Sequence, residues 1–181
     1  MKRSNLIFLV LVVTAISFSS CQKECTTPQQ TNFTGTSTWV KDMDPGTTEA
    51  LESGKVLITG QVAEWYESAN ITEVTGQSFW TVNWLIDPDF TSAKLWGTAV
   101  INVGVENQGD PVLGKWETIW SGTLSNAVFD PEAGFFTQGL IAVDAVGTGV
   151  SGNVDGMSAH WTYTIMDISK GFVYTSEGYI K

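Results

Sequence analysis

Cysteine is nearly missing from this chain: Cys21 and Cys25 are the two in 181 residues, and both lie near the N-terminus. A disulfide framework and a cysteine-rich zinc site are thereby excluded. Histidine is scarcer still, since His160 stands alone without a Cys or His cluster or a nucleophile-elbow serine. Zinc chemistry and a Ser-His-Asp triad have nothing to build on, and His160 reads as a packed or surface residue. Positive charge is short as well, with nine Lys and Arg against nineteen Asp and Glu and a formal net charge of −10. A nucleic-acid binder needs clustered cations to neutralise phosphates, and no cluster occurs. The chain also lacks any capped segment with a 3.6-residue apolar period, so a helical fold is excluded. What it has is 43% hydrophobic and 12% aromatic residues, enough to build the core of one domain and too much for a disordered chain.

The N-terminus reads as an address. Lys2 and Arg3 precede an apolar run from Leu6 to Ile16, the length of a signal-peptide core and too short for a stable bilayer span. Phe18-Ser19-Ser20-Cys21 follows and resembles a bacterial lipobox, with small residues before a cysteine that becomes acylated and N-terminal; Phe18 departs from the usual Leu. The resemblance implies lipidation at Cys21 and a place in the cell envelope, attached to the membrane from the extracytoplasmic side. Removing residues 1–20 takes two positive charges, moving the net charge from −10 to −12. Acyl chains rather than electrostatics would then hold the domain at an anionic bilayer. Cys25 reads as a residue without a special role in a flexible leader, with an alternative acylation site or a free thiol as the other readings. Residues 21–54, rich in Thr, Gln, Ser, Pro and Gly, read as a flexible linker, with one short strand near Ser37 to Val40.

From residue 55 to 181 the chain is all-β. Segments rich in Val, Ile, Thr, Phe, Trp and Tyr predict strands at Val56–Glu67, Gly76–Asp87, Ala93–Val103, Lys115–Leu124, Phe135–Val146, Met157–Asp167 and Phe172–Ile180. Turn residues separate them, as in Asp87-Pro88-Asp89, Asn107 to Pro111, Asp130 to Gly134, Gly152-Asn153 and Ser169-Lys170-Gly171. Long consecutive strands favour an antiparallel up-and-down barrel of about eight strands, because closure removes the exposed edges; a β-sandwich is the alternative. Gly60, Gly97, Gly122 and Gly139 suit the bending that a small barrel imposes. A transmembrane barrel is disfavoured, since Glu64, Lys94, Glu117 and Asp144 interrupt any lipid-facing band.

Eight tryptophans are the most distinctive feature. Trp80 and Trp84 in WTVNW, Trp116 and Trp120 in WETIW, and Trp161 with Tyr163 in HWTY each share a face at two- or four-residue spacing. The resulting stripe is either a filled core or the wall of a cavity for an apolar or sugar-like ligand, and alternation alone does not separate the two. Gly147 to Gly152 matches G-x-G-x-x-G, but a turn and a strand follow where a dinucleotide site needs a helix, so its glycines are assigned to positive-φ turns and no cofactor is expected. Glu64, Glu117 and Asp144 lie within predicted strands; the favoured reading has them outward as solvating residues, and any that faces inward becomes the best acid-base candidate, with Glu64 and Glu117 placed first. Asp87, Asp89, Asp130 and Glu132 sit in turns without EF-hand spacing, which leaves no metal site predicted.

GKWETIWSGTL at Gly114–Leu124 and the glycine-punctuated VGTGVSG at Val146–Gly152, before a closing aromatic strand, resemble bacterial exported proteins with an allene-oxide-cyclase-like or dirigent-like barrel of the calycin-like group. The resemblance spans Val56 to Lys181 and rests on strand rhythm and short Gly/Trp motifs. It implies an eight-stranded barrel with an apolar cavity. Plant members of that group cyclise substrates or guide radical coupling, but no motif carries their functional residues onto this chain. Three expectations stand: a binding or interaction module for a small apolar or glycan ligand, using Trp80, Trp84, Trp116, Trp120 and Trp161; an isomerase- or cyclase-like enzyme with a cavity carboxylate; and a structural envelope protein with a filled core.

Overall fold

The β-branched and aromatic segments after Val56 form the strands their composition predicts. A computed structural model describes residues 29–132, 134–167 and 173–181. The expected signal peptide at 1–20, Cys21, Cys25 and the turn expected at Ser169-Lys170-Gly171 lie outside the described residues. Nine strands run in the order β1 (Thr31–Asp44), β2 (Thr47–Ala50), β3 (Val56–Ala69), β4 (Gly76–Ile86), β5 (Ala93–Val103), β6 (Gly114–Asp130), β7 (Phe135–Gly152), β8 (Ser158–Asp167) and β9 (Val173–Ile180).

Consecutive strands from β3 to β9 pair antiparallel, and β1 lies between β9 and β3, so that eight strands form a ring. This closure leaves no second layer and removes the sandwich alternative. Two features depart from the sequence reading. Residues 31–50, assigned by composition to the linker, supply β1 and β2. The short strand expected near Ser37 to Val40 is also a full stave, Thr31–Asp44, and the ring closes through it. Threonine explains the first departure: TNFTGTSTWVKDMD has few large apolar residues, yet its alternation puts Phe33 and Ser37 inside, while β-branched Thr suits an extended backbone. Short β2 pairs with the start of β3 beyond the point where β1 leaves it, and Gly46, at φ 73°, makes the corner between them.

Large and small side chains interlock inside the ring. Trp120 lies across the sheet from Gly97 and Ala145, Trp80 from Ala63 and Ala99, and Trp161 from Ala145 and Gly178. A methyl group added at Gly147 would overlap the Trp161 ring. The VGTGVSG glycines therefore serve close packing inside β7, and among its three pattern glycines only Gly152 has a positive φ, 67°. The rings meet at tilted and edge-to-face angles, with Trp80–Trp120 centroids 5.3 Å apart and Trp116–Trp161 5.5 Å apart.

One end of the barrel is plugged. A single 3-10 turn, Thr72–Val74, joins β3 to β4 and buries Val74 with Val103, Val105 and Val154. Trp116, completely buried, donates its Nε1–H to the Glu73 carbonyl at 2.7 Å and ties this floor to β6. Outside, Lys94, Glu117 and Asp144 point away from the core on three central strands. Among the described residues no helix is long and apolar enough to cross a membrane.

Candidate ligand cavity

Above the floor the interior is not filled. A cavity of about 480 Å³ extends from Trp80, Trp120 and Tyr163 toward the opposite rim at Trp39, Asp42 and Gly134. That volume falls within the range that holds a small organic ligand. Its wall is built by alternation: Trp80, Val82, Trp84 and Ile86 come from successive inward positions of β4, and Ile141 and Val143 from β7. Phe136 stacks near Trp84 at 6.3 Å, and Tyr174 packs against Trp65 at 5.1 Å. Of the residues named as ligand-binding from sequence, Trp80, Trp84 and Trp120 line the cavity, whereas Trp116 and Trp161 pack together beneath it near the floor.

The indole N–H groups divide sharply. Trp84 donates to Gln61 Oε1 at 2.8 Å, Trp80 to Ser78 Oγ at 3.0 Å and Glu67 Oε1 at 3.2 Å, and Trp39 to Asp42 Oδ1 at 3.3 Å. The Trp120 ring lines the cavity, but its Nε1 is enclosed by protein and has no acceptor; among the described residues it is the one buried side-chain nitrogen or oxygen without a partner.

The carboxylates expected from sequence face away from this space. Glu64 lies between inward Ala63 and Trp65, and on the outer face it pairs with Lys41 at 3.2 Å and accepts from Gln77 at 2.8 Å. The Gln77 hydrogen bond, followed by Lys41, holds its carboxyl below the usual value despite some desolvation. Glu117 lies between inward Trp116 and Thr118 and pairs outside with Lys115 at 3.0 Å. Asp144 meets His160 Nε2 at 2.9 Å, also outside, where the imidazole stacks on Tyr179 at 5.6 Å. None of the three touches the cavity. Asp87, Asp89 and Asp130 bond within their own turns, to Ser92, Thr91 and Glu132. Among the described residues no three metal-ligating side chains converge.

The inward carboxyl is Glu67, which sequence reading passed over. Its Oε1 accepts from Ser78 Oγ at 2.8 Å, Ser37 Oγ at 2.9 Å and Trp80 Nε1 at 3.2 Å, while Tyr163 Oη donates to Oε2 at 3.3 Å. Desolvation raises its pKa, and the four donors offset only part of that effect. Burial first, then the adjoining Glu67, pushes the Tyr163 hydroxyl well above its usual value, so Tyr163 stays a neutral donor. Ser37, Trp80 and Tyr163 both bond Glu67 and line the cavity, linking the buried acid to the wall.

A bulge explains the oversight. Opposite β4, the register jumps between Ile58 and Gln61, with Gly60 at φ 72°. Strict alternation from Val56 and Ile58 would carry Glu64 inward; the extra residue reverses the parity and sends Gln61, Ala63, Trp65 and Glu67 in instead. The parity of Trp65 was the signal that pointed to Glu67. No known protein family, curated protein or solved structure matches this chain. The cavity and its side chains therefore carry the functional argument.

Proposed function

We propose that this protein is a lipid-anchored barrel of the cell envelope that binds a small apolar ligand without transforming it. The observation that carries the binding is the cavity of about 480 Å³, walled by Trp, Tyr, Phe and aliphatic side chains above a packed floor. A purely structural barrel has no use for such a space, because packing to ordinary interior density is more stable. The anchor rests on Lys2 and Arg3, the apolar run and the Ser19-Ser20-Cys21 motif. Thermal shift and tryptophan fluorescence against envelope lipids, aromatic compounds and glycans test the binding. A stabilising ligand in one class is expected, and silence across all three overturns the reading. Labelling with radioactive palmitate tests the anchor: wild type takes up label and Cys21→Ser does not, and an unlabelled wild type overturns it.

Glu67 favours one further reading, an isomerase- or cyclase-like enzyme. Its carboxyl reaches the cavity only through Ser37, Trp80 and Tyr163, so a substrate would meet the Tyr163 hydroxyl before the acid. Turnover of a discovered ligand that is lost in Tyr163→Phe would establish this alternative over simple binding.

A further inference from the structure

The N-terminal segment and the cavity mouth lie at opposite ends of the barrel. Thr31 opens β1 beside Ile180, the last residue of β9, and Ile180 pairs in turn with Ala159 near the start of β8. Close by, Thr34 and Asn70, which leads into the floor turn, bond each other twice. Thr34 N–H donates to Asn70 Oδ1 and Asn70 N–H to the Thr34 carbonyl, both at 3.0 Å. The chain therefore enters the barrel at the plugged end. Further along, β1 reaches Trp39 and Asp42 at the mouth, and the turn that follows Asp130 stands on the same rim. Residues 22–30 separate Cys21 from Thr31. Fully extended, the path from Cys21 to Thr31 reaches about 33–36 Å, and any other conformation reaches less. Strand β6, 17 residues from Gly114 at the floor to Asp130 at the mouth, measures the height of the wall. At about 3.3 Å per residue and a tilt of about 40°, it spans about 40 Å.

Inverting the barrel to set its mouth on the membrane would ask the tether to climb the whole wall, which is longer than its reach. Apolar exposure does not choose an end, since Val112 and Leu113 are exposed at the floor and Val40, Met43 and Val128 at the mouth. Chain length does. We infer that the bilayer holding the Cys21 acyl chains faces the plugged end of the barrel, and that the cavity opens away from it into the aqueous compartment. The inference rests on the lipid anchor proposed above and adds the direction from which the cavity is filled. A ligand arrives through water or from a partner across that compartment. A lipid of the anchoring bilayer has no direct path, because Val74, Val103, Val154 and Trp116 close the near end.

Energy transfer to the membrane surface reads this orientation. The acylated protein, made in the cell from the full-length chain, carries Cys25→Ser and one new cysteine for a donor dye, Val112→Cys at the floor or Glu132→Cys at the mouth. It is reconstituted into phosphatidylcholine vesicles whose headgroups carry an acceptor dye. Transfer is expected to be at least about twofold more efficient from the floor site, given a height difference of about 40 Å. All label sites are exposed, and Lys181→Cys at the floor or Met43→Cys at the mouth replaces a variant that circular dichroism shows to be misfolded. Lengthening the tether by about thirty Gly and Ser residues after Gln29 is expected to bring the two efficiencies together. Transfer from the mouth that equals or exceeds transfer from the floor overturns the inference and leaves the anchor intact. A difference that the longer tether leaves unchanged does the same. A wild type that takes up no labelled palmitate overturns the anchor and the inference together.

Discussion

Replacing Glu67 by Gln gives a variant that imitates the protonated acid. The amide oxygen keeps Ser37, Ser78 and Trp80 as donors, and the amide nitrogen donates to the Tyr163 oxygen in place of the bond that Tyr163 makes to the carboxylate. Burial raises the folded-state pKa of Glu67 above its ordinary 4.5, the value expected of the unfolded chain. Below that unfolded pKa both states are protonated and wild type has its full stability. As pH climbs from there to the folded pKa, the unfolded chain releases a proton that the folded chain keeps. Wild-type stability therefore falls in this window by up to about 1.4 kcal/mol per pH unit, and the loss is complete above the folded pKa. Glu67→Gln has no such loss. Other carboxylates titrate alike in both proteins, so the difference isolates the site. Urea unfolding of both proteins between pH 4 and 8 should show the variant gaining on wild type from about pH 4.5 upward and then holding its lead. Parallel curves would mean that the four donors match desolvation, and wild type gaining as pH rises would mean that they outweigh it; either result would refute the reasoning.

Other substitutions probe other parts of the barrel. Trp116→Ala empties the floor and orphans the Glu73 carbonyl, for an expected loss of about 3–5 kcal/mol in chemical denaturation; a loss under 1 kcal/mol would show that the floor does not depend on this ring. Gly147→Ala drives a methyl into the Trp161 ring and should lower stability by about 1–3 kcal/mol, with a matching change in near-ultraviolet circular dichroism. Glu117→Gln, on the outer face, should leave stability within about 0.5 kcal/mol and ligand affinity unchanged; a lost ligand would place the binding site outside the cavity.

Strands β3 to β9 were legible because their Val, Ile, Thr and aromatic content is dense and Gly, Asp and Pro turns punctuate it. Trp116 and Trp120 share one face of β6, and once the structure turns that face inward Glu117 is left outside. What stayed hidden depends on the closed ring. Residues Thr31–Asp44 carry mostly Thr, Gly and Ser, a composition shared by strands and linkers, and only the two edges of β3 and β9 make this segment a strand. The bulge at Gly60 likewise has no hydrophobic signature, yet it decides which glutamate enters the core. The difference between Trp116 as floor and Trp120 as wall comes from the barrel's two ends, which a single strand does not record.

The position of β1 bears on how the chain becomes a folded molecule. The first strand of the ring to be synthesised is the last stave to be seated, because its partner β9 is the last strand of the ring to be made. Until Val173–Ile180 arrive, β8 and β3 each present an unsatisfied edge, a template for pairing with other chains. Closure of the ring is thus postponed until the whole of β9 has been made.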